Sequence, residues 1–177
     1  MINYLKPKNY NLKPTRGYSL VEMIIYLAIL SVVSLLMINT VLSFTRGYRN
    51  VVALRKVDHS AVDVMERLTR DIRSANQVDS INSVFGTNLG VLVIISTVDG
   101  VSTTEKFYFQ NGVIKLDVNG SYFGPLSASD SIINSLVFTK LESGISSAIK
   151  IDMTVSGTAG TVTETRTYHS TVVLRAV

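Results

Sequence analysis

The apolar positions of this chain fall into three regimes. Residues 23–44 form an apolar run without a single charged side chain. Residues 57–75 then place Val57, Ala61, Val64, Met65, Leu68, Ile72 and Ala75 at steps of three and four, which puts them on one stripe of a helix. Between positions 18 and 76 there is no proline and only one glycine, Gly47. One helix of about 60 residues, roughly 90 Å long, is therefore predicted. From Gly90 the pattern changes to short apolar or alternating runs. They predict strands at Val91–Thr97, Lys106–Phe109, Val113–Val118, Ile132–Leu141, Ile145–Val155 and Val162–Leu174.

Turn chemistry divides these strands. Asp99-Gly100, Asn111-Gly112 and Asn119-Gly120 are dipeptides that accept positive φ and favour tight hairpins. Gly124-Pro125 to Ser131 reads as a loop, and Ser156-Gly157-Thr158-Ala159-Gly160 as a flexible turn. The last strand alternates only in part, which suggests a bulge or an edge position. A helix followed by an antiparallel meander is an α+β arrangement.

Composition changes this picture in two places. The 177-residue chain has no cysteine, which excludes disulfides and thiolate metal sites. Its net charge of +4 is unevenly placed. Lys6, Lys8, Lys13 and Arg16 lie in the first 17 residues, which hold no acid. Without those four, 13 basic residues face 13 acids. The basic character belongs to the leader, so broad nucleic-acid binding by the remainder is not expected.

A cationic leader before an apolar run admits three readings. A secretory signal peptide needs a small-residue cleavage site after the run, yet the run continues through Leu36, Met37, Ile38, Val41, Leu42 and Phe44 without one. A plain signal anchor fits the length, since a bilayer takes roughly 20 residues. Its orientation is ambiguous by charge alone, because Arg46, Arg49, Arg55 and Lys56 sit on the far flank. The third reading starts from a single carboxylate, Glu22, at the head of the apolar run, where it is energetically expensive.

Residues 17–22, Gly-Tyr-Ser-Leu-Val-Glu, with the apolar helix behind them, resemble the class III signal of type IV pilins and type II secretion pseudopilins. Tyr18 stands where that family commonly has Phe; the other motif positions match. The resemblance implies a prepilin peptidase that cuts between Gly17 and Tyr18 and methylates the new amino terminus on Tyr18. It implies that Glu22 pairs with the terminal amine of a neighbouring subunit and so sets axial register. The implied fold is pilin-like, a long helix packed on an antiparallel sheet. The implied domains are a cleaved leader (1–17), a transmembrane and filament-core helix (18–45), an amphipathic continuation (46–77) and a β head (78–177). The implied location is the cytoplasmic membrane, single-pass with the head outside, and then an extracytoplasmic filament. The implied partners are other pilins or pseudopilins, the peptidase and an inner-membrane assembly platform. RLTRDIRSA at 67–75, FYFQNGVIKLDVNG at 107–120 and the end at Leu174-Arg175 look most like J-type minor pseudopilins and related minor pilins. K-type tip subunits usually lack the acid that Glu22 supplies. A tip subunit whose head binds DNA, a surface or a secreted substrate is the alternative, with Arg46–Lys56 as its local phosphate contact.

Physical chemistry gives the motif residues their duties. Gly17 has no side chain to obstruct a narrow peptidase cleft. Lys13 and Arg16 suit anionic headgroups, at roughly 1 kcal/mol each. An unpaired charge in a low-dielectric filament core costs about 3–5 kcal/mol, enough to enforce pairing.

Elsewhere the chain predicts little chemistry. His59 and His169 are far apart and lack metal-ligand spacing; they read as a solvated helix residue and a strand residue. Asp117-Val118-Asn119-Gly120 resembles the start of a calcium loop without its remaining ligands. There is no phosphate loop and no nucleophile elbow. No cofactor, metal or enzymatic activity is expected. Arg67, Arg70 and Arg73 fall outside the apolar stripe and read as a solvated face with local pairs such as Glu66–Arg70.

Overall fold

The computed structural model describes residues 17–143 and 146–174. The leader cations Lys6, Lys8, Lys13 and Arg16, the first residue of the predicted strand at Ile145, and Arg175 lie outside the described residues. The chain divides into two compact units between Phe44 and Thr45.

Helix α1 runs Leu20–Ser74, 55 residues, two short of the prediction at each end. Its first part, up to Phe44, carries apolar side chains that are exposed on every face. It is long and apolar enough to cross a membrane. Two hydroxyls within it are satisfied by the helix's own carbonyls. Ser31 donates to the Leu27 carbonyl and Thr40 to that of Leu36, both at 2.8 Å. Back-bonding of this kind suits a helix with no water beside it.

The second unit is the head. Here α1 buries Ala53, Val57, Ser60, Ala61, Val64, Leu68, Asp71 and Ile72. The predicted stripe is therefore the packing face, with Met65 partly buried at its margin. Among the described residues eight strands follow, all paired antiparallel. They are β1 (Gln77–Val78), β2 (Val91–Val98), β3 (Val101–Gln110), β4 (Val113–Val118), β5 (Ser121–Pro125), β6 (Ser131–Ser143), β7 (Ser146–Ala159) and β8 (Val162–Val173). A long helix packed on antiparallel strands gives an α+β, pilin-like architecture.

The strands form two sheets, β1–β5 in sequential order and β6-β7-β8. The single expected meander is interrupted between β5 and β6. Three backbone bonds stitch β6 to the first sheet's loops: Ile133 N–H to the Gly112 carbonyl, Gly90 N–H to Leu136 and Gly86 N–H to Phe138, at 2.8–2.9 Å. The core gathers Phe107, Ile114, Leu116, Leu136, Phe138 and Ile151 against the helix stripe.

The three hairpin dipeptides behave as their chemistry dictates. Asp99-Gly100, Asn111-Gly112 and Asn119-Gly120 all have positive φ at both positions, the type I′ signature. They close β2–β3, β3–β4 and β4–β5 with two-residue loops.

Three local expectations are corrected. Ser156–Ala159 is not a flexible turn but the end of β7, and the reversal falls on Gly160-Thr161. The predicted 124–131 loop begins one residue later than Pro125, because Ser121–Pro125 pairs with β4. The last strand is an edge and keeps unbroken register with β7. Bulges lie instead in β6, where Asn134 is the extra residue between Ile133 and Ser135, and in β5, where Phe123 is extra opposite Leu116 and Asp117. Asn134 flips the alternation in β6, so Ile133, Leu136 and Phe138 all face the core despite their mixed spacing.

Candidate processing and assembly site

Gly17, Tyr18 and Ser19 precede the helix in extended or irregular backbone. The Ser19 carbonyl accepts the first intrahelical bond, from Met23 N–H at 3.1 Å, which makes Ser19 the N-cap. A Cβ built on Gly17 meets nothing within 4 Å, so the peptide bond after it is open on the side of the missing side chain. Tyr18 is exposed. Glu22 sits in the first helical turn, where the partial positive charge of the amide ends favours a carboxylate.

Ser19-Leu20-Val21-Glu22 has the spacing of a capping box, in which the acid bonds back to the cap. Here the carboxylate goes the other way. Glu22 Oε1 accepts the Tyr26 hydroxyl at 2.7 Å. The Tyr26 ring in turn meets the edge of Tyr18, with centroids 6.4 Å apart and planes at 79°. Residues 18, 22 and 26 thus share one stripe. Tyr26 was not singled out from the sequence; its signal was the i, i+4 spacing of a phenol from an isolated carboxylate.

The head offers less. Among the described residues no three His, Asp or Glu side chains come close enough to hold a metal ion. His59 is exposed and pairs with Asp63 at 2.9 Å, one helical turn on. His169 pairs with Asp152 across β7–β8 at 2.5 Å, and Lys150 joins the same carboxylate at 2.9 Å. These hydrogen bonds hold the Asp152 carboxyl below its ordinary range. Asp117 accepts from Tyr108, and Asn119 Oδ1 accepts Thr104 N–H at 2.8 Å, so the stretch read against a calcium loop is a hairpin turn.

The arginine face is not simply solvated. Arg67 bonds Asp71 and lies 3.9 Å from Glu105. Arg70 approaches Asp71 at 3.6 Å, and not the expected Glu66. Burial pushes the Glu105 carboxyl up, the Asp71 charge adds to that, and Arg67 and Arg70 oppose it. Arg70 and Arg73 border a shallow groove with Val62 and Met65. Of the cations at 46–56, Arg49 donates to Thr161 Oγ1 at 3.4 Å and Lys56 to the Thr158 carbonyl at 3.2 Å. Both reach the β7–β8 hairpin through neutral acceptors.

Compared with known families, residues 12–38 match the model of the prokaryotic N-terminal methylation motif. Gly17, Tyr18, Glu22 and Tyr26 all lie inside the matched segment. No curated protein and no solved structure matches the chain.

Proposed function

We propose that this chain is the precursor of a structural filament subunit, a minor pilin or pseudopilin of a type IV pilus or type II secretion-like machine. The observation that carries the proposal is the methylation motif at 12–38, set on a helix whose apolar side chains are exposed on all sides. A helix of that kind needs lipid or other helices around it. The motif supports a pilin-like precursor in general; the minor and J-type assignment rests on the resemblance of the head segments.

In this reading prepilin peptidase cuts after Gly17, and Tyr18 becomes the N-methylated terminus. The helix is held in the cytoplasmic membrane with the head on the far side, and then moves into the filament. Transfer exchanges lipid contacts for packing against other pilin helices, so little net apolar burial changes hands. Glu22 pairs with the terminal amine of a neighbour, and the penalty for leaving either charge unpaired sets register. The role is structural, and the partners are sister subunits, the peptidase and the assembly platform.

The test is coexpression of the full chain with a prepilin peptidase, followed by mass spectrometry of the amino terminus. The expected product begins at Tyr18 and carries one added methyl group. An uncut chain, or a product beginning beyond the apolar run, would overturn the reading.

A further inference from the structure

Glu22 is already hydrogen-bonded before any neighbour arrives. Of the residues at 17–48, it alone is not exposed. Its cover is Tyr26, whose hydroxyl donates to Oε1 at 2.7 Å and whose ring is braced by Tyr18. In hydrocarbon a carboxylate with no donor is severely destabilised, and no water is at hand to supply one. A phenol one turn along the same helix supplies the donor without help from another chain. An ionised carboxylate has two oxygens and about four acceptor sites. Tyr26 uses one, and Oε2 has no partner among the described residues.

We infer that Tyr26 is a positioning residue for assembly: it holds the Glu22 carboxylate by one oxygen while the helix is in lipid and leaves the other for a neighbouring subunit's terminal ammonium. The inference rests on the filament reading above for its consequence, but the Tyr26–Glu22 bond does not. A phenol in place lowers the penalty of storing an ionised carboxylate in the membrane. It also restricts the side chain to one rotamer, so less freedom is lost when the ammonium docks. The contact between the Tyr18 and Tyr26 rings also restrains this chain's own terminal residue, whose ammonium would dock on another subunit's Glu22.

Two measurements test this on the full chain. The first is a double-mutant cycle of Tyr26→Phe, Glu22→Gln and the pair, in the native host, reading processed fraction on a gel and incorporation in sheared filaments. All variants should be processed alike. Tyr26→Phe should lower incorporation by about tenfold, the scale of a hydrogen bond to a charged group. In the Glu22→Gln background the same substitution should lower it no further. Wild-type incorporation of Tyr26→Phe, or an equal loss in both backgrounds, would overturn the inference, the latter because it would mark a packing role independent of Glu22. The second measurement needs no filament. In bilayers, the labelled Glu22 carboxyl carbon, assigned by its disappearance in Glu22→Gln, should shift in Tyr26→Phe. An unchanged resonance overturns the inference. Normal incorporation of Glu22→Gln overturns the register reading, while the resonance still decides whether Tyr26 holds the carboxylate.

Discussion

The carbonyl oxygen of Ala53 lies 2.8 Å from where a Cβ on Gly157 would stand, and Val57 Cγ2 lies at 2.9 Å. Strand β7 and helix α1 therefore meet backbone to backbone at this point, and only glycine admits the approach. Gly157→Ala should destabilise the protein by about 1–3 kcal/mol, the range for an overpacked contact. Gly47→Ala should do the opposite. A Cβ there meets nothing within 4 Å, and alanine gains about 1 kcal/mol over glycine within a helix. Thermal melts of both variants in detergent, followed by circular dichroism, should move in opposite directions.

The paired acids under Arg67 make stability depend on pH. Burial, with the Asp71 charge behind it, raises the Glu105 carboxyl above its ordinary 4.5. The folded state thus holds this proton more tightly than the unfolded chain does. Its contribution is fully present below about 4.5 and is lost as pH rises through the folded value. Glu105→Gln removes that loss. The variant should gain on the wild type by a few tenths of a kcal/mol between pH 4 and pH 7, a small effect because solvent screens a half-buried group. Urea midpoints across that range check it; a wild type that gains on the variant with rising pH refutes it.

Tyr168 gives a second, alkaline window. Its hydroxyl donates to Asp58 Oδ1 at 2.5 Å, with Arg166 3.6 Å from the same oxygen. Burial first, and then the Asp58 hydrogen bond and charge, push the phenol up to about 12. The stability it contributes is complete below pH 10 and falls away as pH approaches about 12. Tyr168→Phe should be less stable at pH 7 by about 0.5–1 kcal/mol, discounted for partial exposure. Its stability should also lose less between pH 10 and pH 12. Denaturation at pH 7, 10 and 12 supplies the comparison.

Processing and assembly should separate by residue. Gly17→Ala puts a methyl group into the open space beside the peptide bond proposed for cleavage, and the precursor should persist on a gel. Glu22→Ala leaves that bond untouched, so cleavage should continue while incorporation into filaments falls by about a hundredfold or more, on the scale of an unpaired buried charge. Normal assembly of Glu22→Ala would refute the register argument.

Much of the fold was legible because its signals are local. A 55-residue helix needs only the absence of breakers and a stripe at steps of three and four, and both are written along the chain. Asp99-Gly100, Asn111-Gly112 and Asn119-Gly120 likewise announce their turns, since few other residues tolerate positive φ twice in succession. Gly17, Tyr18 and Glu22 stood out for the same reason: a motif of six consecutive residues requires no knowledge of what folds against it.

Other features had no local cause. Gly157 looked like turn material because glycine marks both a turn and a close approach; only the position of Ala53 distinguishes them. Asn134 became a bulge because two core-facing runs in β6 had to share one packed face. The break between two sheets likewise depends on where β6 finds backbone partners at Gly86, Gly90 and Gly112. Tyr26 lay between these cases, visible as spacing but identified only when its hydroxyl was seen on Glu22. Periodicity and turn chemistry thus belong to the sequence, because each residue carries them alone. Close approaches, bulges and charge partners belong to the tertiary structure, because each requires two residues whose separation the chain order does not set.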